Sequence, residues 1–126
     1  MRTIKFRGKT ILNPEWVYGD LLNFGNKVLS IGSYTPIGYE MMRRIDPDTV
    51  GQFTSLYDKT HNEIYEGDIL AVQGIDEKLE VRFVRGVFAF LWNGDLDNEF
   101  PTGSPTHEWA EVVGNIHDNP DMIKGN

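Results

Sequence analysis

The sequence contains no cysteine. A disulfide framework, a zinc–thiolate site and a thiol nucleophile are therefore excluded, and the chain suits a reducing compartment. Long apolar runs are missing too: nothing approaches the ~18 consecutive residues that a membrane helix needs. The opening MRTIKFRGKT has no apolar core of a secretion signal, and no Asn-x-Ser/Thr glycosylation sequon occurs. The expected location is the cytoplasm, with no membrane partner. Positive charge is in short supply, with 12 Lys and Arg against 19 Asp and Glu and a net charge of −7. Such a chain is repelled by bulk DNA and by anionic lipid. The deficit is uneven. Arg2, Lys5, Arg7 and Lys9 crowd the first nine residues without an acid, whereas from Asn93 onward seven acids face Lys124 alone.

Motifs that carry chemistry are absent as well. There is no G-x-x-x-x-G-K-[ST] phosphate loop, no G-x-G-x-x-G dinucleotide turn and no G-x-S-x-G nucleophile elbow. Asp95, Asp97 and Glu99 alternate like the start of a calcium loop. The sixth and twelfth positions are Phe100 and Thr106, however, where glycine and glutamate are required. His61, His107 and His117 lack ligand spacing. No metal or other cofactor is expected, and no catalytic residue. The acids closest to a catalytic pair are Glu63, Glu66 and Asp68. Glu66 and Asp68 flank Gly67, where carboxylates ordinarily bond local backbone N–H groups.

What is present is β-sheet patterning. The 126 residues are 40% hydrophobic and 12% aromatic, with 13 glycines and six prolines between short apolar runs. This composition folds, and its rhythm is that of a mainly β protein with little helix. Strands are expected at Thr3–Phe6, Glu15–Leu22, Lys27–Tyr34, Val50–Thr54, Ile64–Tyr65, Ile69–Gln73, Leu79–Val84, Val87–Trp92 and Trp109–Ile116. Tyr39–Ile45 alternates as a strand but also carries helical spacing, and the strand is preferred because Pro36, Gly38 and Pro47 bracket it. Asp46-Pro47-Asp48-Thr49 reads as a capped turn, and Asn119-Pro120-Asp121 as the cap of a short C-terminal helical turn. Asn93–Thr106 is a loop rich in acids, Gly and Pro. The meander after Gln52 predicts a small SH3-like barrel, with additional N-terminal strands packed on or swapped against it. The chain reads as one unit over residues 1–126, subdivided at most into 1–49 and 50–126.

Many aromatics alternate with polar residues, as core or cross-strand pairs do. Trp16, Tyr18, Tyr65 and Trp92 are the candidate interaction surface. A binding or structural module fits these features better than an enzyme. The alternative is a nucleic-acid-associated accessory protein that uses aromatic platforms and the basic first strand, against which the acidic total argues.

Five stretches in order, "IKFRGK" (Ile4–Lys9), "EWVYGDL" (Glu15–Leu21), "DPDTVGQFTSLYDK" (Asp46–Lys59), "EIYEGDIL" (Glu63–Leu70) and "EVVGNIHDNPDMI" (Glu111–Ile123), resemble the YopX family of phage and prophage proteins. The resemblance spans nearly the whole chain. It implies a phage or prophage accessory protein in the bacterial cytoplasm, mostly β and homo-oligomeric; a host or phage protein is the further partner expected of a binding module. It implies no reaction and no functional residues. Two departures stand out. Ser55 occupies a position where the family usually has glycine, and Thr60-His61 stand where it has an Asn-Gly-type turn, so His61 is expected in a backbone conformation that glycine adopts more easily.

Overall fold

The computed structural model describes residues 3–100 and 105–123. The chain divides into two compact units, Met1–Phe53 and Thr54–Asn126. Its strands form two antiparallel sheets, and little helix is present.

In the first unit, β1 (Phe6–Lys9), β2 (Trp16–Asn23), β3 (Leu29–Thr35) and β4 (Gly38–Ile45) lie in the order β4-β3-β2-β1, and the start of β5 (Gly51–Tyr57) pairs with the far side of β1. The first strand is displaced from the expected Thr3–Phe6. Its pairs run Phe6↔Gly19 through Lys9↔Trp16. The polar Arg7 and Lys9 and the side-chain-less Gly8 concealed this from an alternation argument. Gly8 is required because a Cβ there would collide with Ile45, which is fully buried. Tyr39–Ile45 is a strand, as preferred, and Asp46–Thr49 is capped as expected. Asp46 Oδ1 accepts from Asp48 N at 3.0 Å, and Thr49 Oγ1 accepts from Lys9 N at 2.8 Å. That turn fixes the end of β1 to the chain leaving β4.

β4 is the outer strand of its sheet. Its register against β3 shifts between Ile31 and Ser33, with Met41 at φ 56°. Such a bulge is common on edge strands.

The second unit contains β6 (Glu63–Tyr65), β7 (Asp68–Val72), β8 (Leu79–Val84), β9 (Val87–Trp92), the short α1 (Thr106–Trp109) and β10 (Ala110–Asn115). Four strands are ordered β10-β7-β8-β9. One face of this sheet builds the core with Leu70, Leu79, Val81, Phe90 and Ala110, joined by Ile64 from β6 and flanked by Trp92, Phe100 and Trp109. The corner into β7 is built as its sequence suggests, with Gly67 at φ 95° and its N–H donated to Val81 O at 2.8 Å.

The expected small barrel is not closed. Closure would require β9 to pair with β10, but the chain leaving β9 folds back and takes that edge itself. Trp92 N donates to Asn98 O at 2.9 Å and Phe100 N to Phe90 O at 2.7 Å. Phe100 stacks against Trp92 and Trp109 at centroid distances of 5.3 and 4.8 Å, which holds the returning segment in place. The expected loop Asn93–Thr106 therefore contains an ordered edge segment, while its residues 101–104 lie outside those described. Two further expectations are corrected. Thr106–Trp109 forms a helical turn before β10, so the last strand begins at Ala110. Asn119 does not cap the turn Pro120–Met122, because its side chain instead accepts from Asn115 N.

Candidate functional site

The four aromatic candidates fall in both units. Trp16 lies on β2 opposite Lys9, and Tyr18 opposite Arg7. The buried Arg7 guanidinium sits 4.7 Å from the Trp16 ring centre and Lys9 Nζ 5.9 Å from it, while Lys5 Nζ lies 5.5 Å over Phe53. The basic first strand thus places its cations on rings, a stabilising use of charge. Tyr18 is half exposed. In the second unit Tyr65 is buried, its OH donating to Glu63 Oε1 at 2.8 Å, and Trp92 packs on the core.

Among the acids considered for catalysis, Asp68 is buried and its Oδ2 accepts from Tyr65 N at 2.7 Å, the local backbone role that its turn position predicts. Sequence reasoning missed the better-built carboxylate, Asp58. It is wholly buried and accepts from Thr60 N (2.9 Å), Thr60 Oγ1 (3.0 Å), Asn62 N (2.8 Å), Asn62 Nδ2 (3.3 Å) and Val112 N (2.9 Å). Burial opposes its ionisation, but the donors of Val112, Asn62 and Thr60 outweigh it and hold the carboxyl below the ordinary range. A carboxylate so satisfied is a poor base. It ties the 58–62 turn to β10. The signal in the sequence is Asp-x-Thr-x-Asn, an acid followed by donors at +2 and +4.

Glu80 behaves oppositely. On β8, burial pushes its carboxyl up, and Arg82, whose Nε lies 3.6 Å away, only partly offsets this. Among the described residues no three His, Cys, Asp or Glu are grouped to hold a metal ion, and no helix is long and apolar enough to cross a membrane.

Of the two departures from the family pattern, His61 lies in the turn anchored by Asp58 and Ser55 on β5. His61 has φ 66° and Ser55 φ 69°. Both occupy the left-handed region, where a side chain costs about 1–2 kcal/mol. His61→Asn, which tolerates that region, is expected to raise stability by about 0.5 kcal/mol. Urea unfolding checks it, and an unchanged or lowered midpoint counts against the strain.

The most exposed apolar surface belongs to the β3–β4 hairpin. Tyr34, Ile37, Tyr39, Met41 and Met42 are all exposed there, Ile37 at 86% and Met41 at 80%. Tyr34 and Tyr39 brace each other edge-to-face at 5.2 Å. Below the hairpin, the loop after β1 and the end of β4 enclose a shallow cavity of about 510 Å³ lined by Thr10, Ile11, Leu12, Met42, Arg43 and Arg44. Charge divides sharply between the units. Seven Lys and Arg meet five Asp and Glu before Thr54, and five meet fourteen from there on, giving +2 and −9.

No curated protein matches the chain. Among solved structures it resembles the crystal structure of protein EF1440 from Enterococcus faecalis, with a TM-score of 0.62 and 20% identity over 98% of this chain and 99% of that one. At that identity the likeness establishes a shared fold. Residues 5–124 match the family described as YopX protein, and with nearly its whole length so accounted for, this chain belongs to the YopX family.

Proposed function

We propose that this protein is a non-catalytic, phage- or prophage-encoded accessory module of the bacterial cytoplasm. In this reading it binds a host or phage protein through the β3–β4 hairpin and also assembles with copies of itself. The observation that carries the reading is the cluster of exposed apolar side chains on the β3–β4 hairpin, whose β4 is an edge strand. Apolar clusters on strands with unpaired backbone edges favour association with another chain, and soluble proteins ordinarily blunt them. The well-defined acids support a structural use: Asp58 is consumed by donors and Asp68 by a turn. Nucleic-acid association gains less support, since Arg7 and Lys9 of the basic strand lie over Trp16.

The test is a pull-down from bacterial lysate, half of it nuclease-treated, comparing wild type with an Ile37→Asp, Met41→Asp double variant. Both sites are exposed, so the fold is expected to survive within about 0.5 kcal/mol. A specific protein retained after nuclease and lost at least tenfold in the variant supports the reading. Recovery of nucleic acid, with the proteins disappearing on nuclease treatment, replaces it with a nucleic-acid role.

A further inference from the structure

The cavity below the hairpin has the properties of a preformed socket. Its wall is the loop after β1, and that loop is pinned rather than floppy. Thr10 N donates to Glu15 O at 3.0 Å, Glu15 N returns a bond to Thr10 Oγ1 at 3.0 Å, and Ile11 N donates to Arg44 O at 3.3 Å. These bonds hold Ile11 and Leu12 outward, Leu12 with 80% of its surface in water. Met42 completes an apolar lining. Two cations stand at the rim. Arg43 is neutralised by Glu15 at 3.1 Å, whereas the exposed Arg44 guanidinium engages no side chain among the described residues. An apolar socket with one uncommitted cation fits an apolar side chain flanked by carboxylates.

The same sequence presents such a plug. After β9 the chain turns through Asp95-Leu96-Asp97, held by Asp95 N to Trp92 O (2.8 Å), Asn98 N to Asp95 O (3.0 Å) and Asp97 N to Asp95 Oδ1 (3.0 Å). Leu96 is half exposed between two exposed acids. The plug belongs to the unit of charge −9 and the socket to the unit of charge +2.

We infer that copies of this chain associate head to tail, with Leu96 of one copy seated against Ile11, Leu12 and Met42 of the next and Asp95 or Asp97 meeting Arg44. This deepens the self-association part of the reading above; it shares Met42 with the hairpin surface but not Ile37 or Met41, the pair substituted in the partner test. The contact is heterologous, so it closes into a ring or extends into a filament, depending on the rotation between copies.

Two variants and their mixture test it. Arg44→Asp disables the socket and leaves the plug; Leu96→Asp does the reverse. By light scattering coupled to size exclusion at low salt, wild type is expected to assemble. Each variant alone should self-associate at least tenfold more weakly, and an equimolar mixture should form a one-to-one heterodimer that grows no further. Raising salt should weaken all assembly through the Asp–Arg pair. A wild type that stays monomeric overturns self-association altogether. An assembling wild type with unaffected variants overturns only this junction, as does a mixture in which both stay monomeric. Should Leu96→Asp fail to fold by circular dichroism, Asp97→Arg takes its place, and its mixture with Arg44→Asp, in which both junctions join opposite charges, should regain the assembly that each lacks alone; should Arg44→Asp fail, Leu12→Asp at an exposed position disables the socket instead.

Discussion

Asp58→Ala is expected to destabilise the protein by about 4 kcal/mol, the largest loss of any single substitution considered. Three backbone N–H groups, of Thr60, Asn62 and Val112, end on this one carboxylate. Removing an acceptor leaves buried donors unmet at about 1–3 kcal/mol each, partly relieved by water and relaxation. Asp58→Asn retains one acceptor oxygen and should lose about half as much. The pH dependence has a definite sign. Because the folded pKa lies below the ordinary value of 3.8, the carboxylate's contribution is complete above that value. It is lost as pH falls from there through the lower folded pKa. The gap between wild type and Asp58→Asn should therefore be constant near neutrality and narrow below about pH 4. Urea unfolding at pH 7 and pH 3 measures both statements. A gap that widens on acidification would mean that the donors do not hold the carboxylate ionised.

Gly19→Ala should be nearly as damaging, through a different mechanism. A Cβ at Gly19 would lie 2.6 Å from the Gly32 carbonyl oxygen, and the φ of 156° is one that side chains rarely adopt. The obstacle is main chain in the neighbouring strand β3, so no rotamer change relieves it. The expected cost is about 3 kcal/mol from overpacking and backbone strain together. Gly25→Ala is the control: its φ is 85°, but nothing lies within 4 Å of the added methyl. It should cost about 1 kcal/mol. Equal losses at the two glycines would show that the close approach of β2 and β3 is not the constraint.

Much of the fold was legible because strand alternation survives wherever one face is buried. β8 and β9, each with three consecutive buried residues, were instead marked by short apolar-rich runs bounded by the Arg85-Gly86 link, whose residues are both at positive φ. The corner at Gly67 and the left-handed His61 were legible because glycine chemistry is local. Failures came where distant residues decide. β1 was misplaced because Gly8 is chosen by Ile45, far along the chain. The barrel was expected because a meander fixes neighbours but not closure, and the competing partner for the β9 edge was the chain's own segment at 98–100. Asp58 looked like an ordinary turn residue until β10 supplied the Val112 N–H. The socket could not be read at all, since Ile11 and Leu12 meet Met42 and Arg44 only through sheet pairing.

The order β10-β7-β8-β9 also bears on how the chain emerges during synthesis. The hairpins β2–β3–β4 and β7–β8–β9 can close as soon as they leave the ribosome, since their partners are consecutive. β7 must wait on its other side for β10, the last of the described strands, and Asp58 waits equally long for Val112. A nascent chain stalled before Ala110 therefore carries an open strand edge and an under-satisfied buried acid. Sealing of the second unit therefore waits for β10, whichever strands have already paired.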